Sequence, residues 1–158
     1  YFNTDRMLRE YYQKFYVKAN TYFNQLINNN LIKESVSSWW NRIYKNFDKV
    51  RVVVDNFKPS SELKTGNSFE IRAVVWLGDI LPDDVKVEIV IGSLDGDSIF
   101  KYGRAFEMKC INKVSNGYIY STDVKCYKSG KHDFAVRVLP YHKELPDLPI
   151  PGFIVWNE

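Results

Sequence analysis

The chain has 158 residues, a net charge of +3 and 26% charged side chains, with no block of like charge that would track nucleic acid or an anionic membrane. It has no apolar run long enough to span a bilayer and no signal-peptide pattern, which leaves one domain with a real core, or a sandwich of about 100 residues with a helical attachment. Aromatic residues make up 16%; Tyr and Trp serve cores, interfaces and sugar stacking alike, so the count does not choose among them.

The hydrophobic period changes once, near Phe47. Before it apolar residues recur every three or four positions, and after it they alternate, so helices are followed by strands. Thr4 can cap the first helix, whose first turn carries Asp5, a carboxylate suited to the positive end of the helix dipole. One seam runs Leu8, Tyr11, Phe15, Ala19, Tyr22, Leu26. Asn28-Asn29-Asn30 breaks it, since asparagine favours turns. A second helix follows from about Leu31 with the seam Val36, Trp40, Ile43, Phe47, flanked by Trp39 and Tyr44. Two helices joined so closely predict an αα-hairpin. Met7, Tyr12, Tyr16 and Phe23 lie off the first seam and have no evident partner within the chain. They form a candidate docking surface, and self-association is expected wherever it stays bare. The chain starts at Tyr1 without a Met, as expected of an excised fragment.

From Val50 onward alternation predicts about seven strands: Val50–Asp55, Ser68–Leu77, Val85–Gly92, Ala105–Asn112, Gly117–Val124, His132–Leu139 and Gly152–Asn157. Turn signals separate them at Leu81-Pro82-Asp83-Asp84, Asp95-Gly96-Asp97, Asn116-Gly117, Ser129-Gly130 and Pro140 to Pro151. Phe69, Ile71, Ala73, Val75 and Leu77 share one face of the second strand, and Glu70, Arg72 and Trp76 the other. In the third, Val85, Val87, Ile89 and Ile91 point inward. The expected fold is α+β: an N-terminal αα-hairpin, then an antiparallel, immunoglobulin-like β-sandwich of about seven strands. With a turn at Asn116-Gly117, Cys110 faces the region of Ser121 and Cys126 the region of Ala105. The two thiols are then not partners, and a reduced, cytoplasmic protein is expected.

Reactive motifs are scarce. The sequence has no glycine-rich phosphate loop, no paired metal-ligand spacing and no serine elbow. Asp95-Gly96-Asp97 lacks the spaced carboxylates and closing glutamate of a calcium loop and reads as a β-turn. His132 and Asp133 are strand neighbours and point to opposite faces, so they do not share a ligand or a proton. No spacing among the acidic residues singles out a glycosidase pair.

Three ordered stretches carry a resemblance. Asp5-Arg6-Met7-Leu8-Arg9-Glu10-Tyr11 runs into Lys14-Phe15-Tyr16; Trp40-Asn41-Arg42 precedes Val50-Arg51-Val52; and Ser129-Gly130-Lys131-His132-Asp133-Phe134-Ala135-Val136-Arg137-Val138-Leu139-Pro140-Tyr141-His142 is followed by Leu145 and by Ile154-Val155-Trp156. Together they resemble the C-terminal end of α-glucan phosphorylases, the glycogen and maltodextrin phosphorylase family, in its shorter bacterial and archaeal branch. The resemblance covers nearly the whole chain. It implies a parent enzyme that uses pyridoxal phosphate to transfer a glucosyl unit from an α-1,4-glucan to phosphate. The cofactor lysine of that family would lie in a Gly-Thr-Ser-rich segment. No lysine here has that context, so no catalytic, cofactor-binding or metal-binding residue is assigned to this chain. At Asp133, where the family pattern has glycine, the backbone needs less unusual geometry.

The leading expectation is a helical connector at residues 1–48, the end of the parent's catalytic region, and a C-terminal β-sandwich at 49–158 that is noncatalytic and buttresses the catalytic domains or helps place the polymer. The alternative is an autonomous carbohydrate-binding or protein-interaction module. In it Trp76, with Tyr102 and Tyr127, offers a stacking platform for α-glucan.

Overall fold

The change of period at Phe47 is where helix gives way to sheet in the computed structural model, which describes residues 4–55, 66, 68–94, 100–126, 132–147 and 149–157. Three helical segments, α1 (Thr4–Tyr11), a π-helical turn (Tyr12–Tyr16) and α2 (Val17–Asn28), run consecutively up to Asn29. Asn29 is extended, with φ −127°. Its side-chain oxygen accepts from the N–H groups of Leu31 (3.1 Å) and Ile32 (3.3 Å), which caps α3 (Asn30–Asn46).

Among the described side chains, the N-terminal end of the first seam does not pack on the second helix, although α2 and α3 meet near their junction. Leu8, Tyr11 and Phe15 are exposed, and of that seam Tyr22 is half-buried. The reason lies in α3, which spends Trp39 and Ile43 on the core it shares with the sheets, while its Leu31 and Tyr44 stay exposed. Its buried face is also rotated from the expected seam. Trp39 is 2% exposed, whereas Trp40 is half-buried against Phe153, with ring centroids 5.1 Å apart. Either phase suits a helical period; the indole N–H of Trp39 finds a buried acceptor in the carbonyl of Asp84 at 3.1 Å, and this partner decides between them.

Among the described residues eight strands follow: β1 (Arg51–Val54), β2 (Ser68–Trp76), β3 (Val85–Leu94), β4 (Phe100–Glu107), β5 (Lys109–Val114), β6 (Gly117–Lys125), β7 (His132–Pro140) and β8 (Val155–Trp156). They form two antiparallel four-stranded sheets, ordered β1-β2-β6-β5 and β4-β3-β7-β8. Ala105–Asn112, expected as one strand, is divided between β4 and β5. The chain crosses between sheets at Met108, whose side chain is buried in the core and whose N–H donates to the carbonyl of Val87 at 2.8 Å. Alternation otherwise holds: Ile71, Ala73 and Val75 of one sheet and Val87, Ile89, Val136 and Val138 of the other join a single buried cluster, with Ile43 of α3 and Phe47 at its edge.

The hairpin between β5 and β6 closes on the pair Val114 and Gly117. A register shift between Cys110 and Asn112 sets Cys110 opposite Tyr120, within the expected region of Ser121 and one residue from it, because a bulge consumes one residue of the ladder. Ala105 is on β4 in the other sheet, so it does not face Cys126, and both thiols are free. Gly117 has a packing role: a Cβ there would stand 2.9 Å from the carbonyl oxygen of Val75 and 3.3 Å from Cδ1 of Trp76. The turns expected at Asp95-Gly96-Asp97 and Ser129-Gly130 lie outside the described residues.

Candidate functional site

The sheets end against α3 at a short turn, Pro82–Asp84. Asp84 is buried and accepts from Arg42, Nε to Oδ2 and Nη2 to Oδ1, at 2.9 Å each, and from the N–H of Leu81 at 3.2 Å. Its carbonyl accepts from Trp39 (3.1 Å) and from the N–H of Tyr141 (2.8 Å). One aspartate therefore ties the helix, the turn and the segment after β7 together. Beside it, the N–H of Glu144 donates to His142 Nδ1 at 3.2 Å. That assigns the proton to Nε2, which faces Ser35 Oγ at 3.1 Å. The ring also packs on Trp39, centroids 5.4 Å apart. Burial pushes the His142 pKa below its ordinary value.

The far side of the β3-β7 pair carries a second network. Glu88 is buried and accepts two bonds from Arg137 (2.9 and 2.7 Å), while Lys86 bridges Glu88 at 3.3 Å and Asp147. Arg137 lies over the ring of Trp156, 5.6 Å from its centroid. Asn157 finishes the edge, its side-chain oxygen accepting from the N–H of Val136 at 2.6 Å. The motif from His132 to His142 with Ile154-Val155-Trp156 thus makes one core strand, its partner and the clamp on α3. Asp133 takes strand geometry opposite Gly92, its carboxylate accepting from the N–H of Phe134.

Between the Pro82–Asp84 turn, the Met108 crossing and the segment after β7 lies an open cleft of about 710 Å³. Tyr120 and Cys110 line it. The Tyr120 hydroxyl is buried beside the thiol of Cys110, with no nitrogen or oxygen partner among the described residues. Burial holds this phenol far above the ordinary tyrosine range, and burial also raises the Cys110 thiol. Sequence reasoning missed this site, because Tyr120 reads as an inward strand residue and the bulge that sets Cys110 opposite it leaves no signature in the sequence.

The residues singled out from the sequence are not brought together. Trp76 is half-buried on the outer face of its sheet, on the side of Glu70 and Arg72 and paired with Arg51. Tyr102 belongs to β4 in the other sheet; its side chain, and all of Tyr127, lie outside the described residues. Met7 (51%), Tyr12 (63%), Tyr16 (67%) and Phe23 (59%) are all exposed. With Leu8, Tyr11, Phe15 and Ile27 also exposed, large apolar side chains surround the helical arm.

Among the described lysines none is a buried amine free to hold pyridoxal phosphate. Lys109, Lys113, Lys125 and Lys143 are exposed, and Lys86, the half-buried lysine of the β3-β7 face, is held charged by Asp147 and Glu88 against the pull of burial. Among the described residues no group of three or more His, Cys, Asp or Glu side chains is arranged to hold a metal, and no helix there is long and apolar enough to cross a membrane.

Residues 48–158 match the family model described as the glycogen phosphorylase C-terminal domain. The maltodextrin phosphorylase of Thermococcus litoralis is 32% identical over 162 aligned residues, which take in 99% of this chain. The chain spans 18% of the length of that curated relative.

Proposed function

The chain belongs to the glycogen phosphorylase C-terminal domain family, and on that premise we propose that it is the noncatalytic C-terminal region of an α-1,4-glucan phosphorylase. In this reading the rest of the polypeptide transfers a glucosyl unit from glycogen or maltodextrin to phosphate, giving glucose 1-phosphate, and carries the pyridoxal phosphate. The observation that carries the proposal is the match of nearly the whole chain to a small part of a phosphorylase.

We read residues 1–48 as the connector to the catalytic domains and 49–158 as an immunoglobulin-like sandwich. The apolar arm supports this division. Met7, Tyr12, Tyr16 and Phe23 are the docking surface for the catalytic domains of the same polypeptide; such a patch is rarely left bare, because burying each large side chain is worth about 1.5–3 kcal/mol. The Asp84 and His142 contacts would then transmit the position of the arm to the sheets. As the alternative, an autonomous carbohydrate-binding or protein-interaction module, Trp76 with Tyr102 and Tyr127 would meet α-glucan.

An activity assay tests the proposal. The purified chain, given maltodextrin and phosphate, should form no glucose 1-phosphate and show no absorbance of a pyridoxal Schiff base after incubation with the cofactor. The polypeptide that includes the catalytic domains should give both. Either signal from the chain alone overturns the noncatalytic assignment.

A further inference from the structure

We propose that the helical arm docks through one face only, that the π-helical turn at Tyr12–Tyr16 is the device that makes this face continuous, and that the face fits an elongated apolar groove on the catalytic part of the polypeptide. The identity of the occupant rests on the phosphorylase reading above; the single face rests on the arm itself.

The arm is one unbroken helix. Tyr11 (φ −61°, ψ −47°) and Val17 (φ −63°, ψ −46°), on either side of the π turn, are both right-handed helical, and the N–H of Val17 donates to the carbonyl of Tyr12, five residues back. Many of its apolar side chains recur every four residues, as from Tyr11 to Phe15 and from Leu8 through Tyr12 to Tyr16. At about 3.6 residues per turn each such step gains about 40°, so a uniform α-helix would set Tyr11 and Phe23 about 120° apart. An i→i+5 turn takes up roughly one extra residue, which turns the following helix back by about 100° and brings the two nearly into line.

The large apolar side chains round the arm are therefore unevenly spread. Met7, Tyr11, Tyr12, Tyr16, Phe23 and Ile27, all exposed, fall on one side, where the rings of Tyr11 and Phe15 lie 5.3 Å apart. The other side is polar. In α1 it carries the ion pairs Asp5–Arg9 (3.3 Å) and Arg6–Glu10 (3.8 Å), and Gln13 and Thr21, both exposed, continue it. Val17 is the exception on that side among the described side chains.

A helix with one apolar and one charged face beds in a groove, and from Thr4 to Asn28 this one is about 35 Å long. The chain's own α3 does not cover the face, since its large side chains stay exposed. The occupant is the part of the polypeptide outside this chain, which in the Thermococcus litoralis maltodextrin phosphorylase is most of the length, the chain spanning 18% of it. Tyr11, Tyr12 and Tyr16 carry hydroxyl groups beyond their rings, so the groove is apolar with hydrogen-bond acceptors at its rim.

The test is amide hydrogen exchange of residues 4–28 in the isolated chain and in the polypeptide that includes the catalytic domains, with substitutions on each face. In the longer polypeptide the wild-type segment should be protected about a hundredfold or more over the isolated chain. Tyr11→Glu and Phe23→Glu should each lower that protection about tenfold or more, while Gln13→Glu and Thr21→Glu should leave it within about threefold. Deletion of Gln13 restores a uniform α register and should free α1, with α2 still held through α3; Gln13→Ala, of unchanged length, should free neither. Equal losses from the two faces overturn the single face, and they decide the matter even where the deletion variant does not fold. A deletion tolerated as well as Gln13→Ala overturns the role of the π turn. Protection that reaches the same level in the isolated chain as its concentration rises assigns the face to a second copy and overturns the occupant. Equal exchange of the wild-type segment in both proteins overturns the docking reading and this proposal together, whereas the other contrary results overturn this proposal alone.

Discussion

The guanidinium of Arg42 holds both carboxylate oxygens of Asp84, each at 2.9 Å, across 42 positions of sequence. Asp84 is buried while Arg42 keeps an edge in solvent, so the helix contributes the charge that the turn cannot bury alone. Arg42→Ala should leave that carboxylate unpaired and cost about 1–3 kcal/mol. Arg42→Lys should recover only part of the loss, because a lysine cannot make the two-point contact. Urea unfolding midpoints of the three proteins measure this. Equal stability of all three would show the pair to be incidental.

Trp39 is the anchor of α3, and its truncation should cost about 3–5 kcal/mol, against a smaller loss for the half-buried Trp40. The reverse order in denaturant titrations would place the wrong tryptophan in the core.

The same helix face shows how far the sequence could be read. Alternation fixed the inward residues of β2 and β3 because a period of two admits one phase, and burial followed it from Ile71 to Ile89. The helical seam was legible only to within one residue, since Trp39 and Trp40 both fit a period of 3.6 and the choice depended on Asp84, 45 positions away. The crossing at Met108 was hidden for a similar reason: an apolar residue between two polar ones looks like any inward strand position. The cleft was illegible altogether, for it needs a bulge at Ile111 and a loop after β7 that meet only in three dimensions.

His142 makes the clamp on α3 sensitive to acid. Its pKa is below the ordinary 6.5 because it is buried, with Glu144 and Asp84 raising it and Lys143 and Arg42 lowering it further. The unfolded chain therefore binds the proton first, so stability is full above 6.5 and falls as pH drops through 6.5 toward the folded value. A proton on Nδ1 would also face the N–H of Glu144. Melting temperatures between about pH 7.5 and 5.5 should decline, and decline less in His142→Gln. A slope that is the same in both proteins would remove His142 from the account.

Gly117 has no room for a side chain. Gly117→Ala would bring a Cβ within 2.9 Å of the Val75 carbonyl, and relieving the clash by spreading β2 from the hairpin should cost about 1–3 kcal/mol. Thermal denaturation checks it, and an unchanged midpoint would mean that the hairpin shifts freely.

The central claim is that the apolar arm docks on the catalytic domains of a longer polypeptide, and hydrogen exchange tests it most directly. Amides of residues 4–28 should exchange quickly in the isolated chain, where large side chains such as Tyr12 and Tyr16 are exposed, and slow by orders of magnitude in the polypeptide that includes the catalytic domains. Tyr12→Glu with Tyr16→Glu should make the isolated chain more monomeric in light scattering and should abolish that added protection. Equal exchange of this segment in the two proteins, with no effect of the double substitution, would contradict the claim.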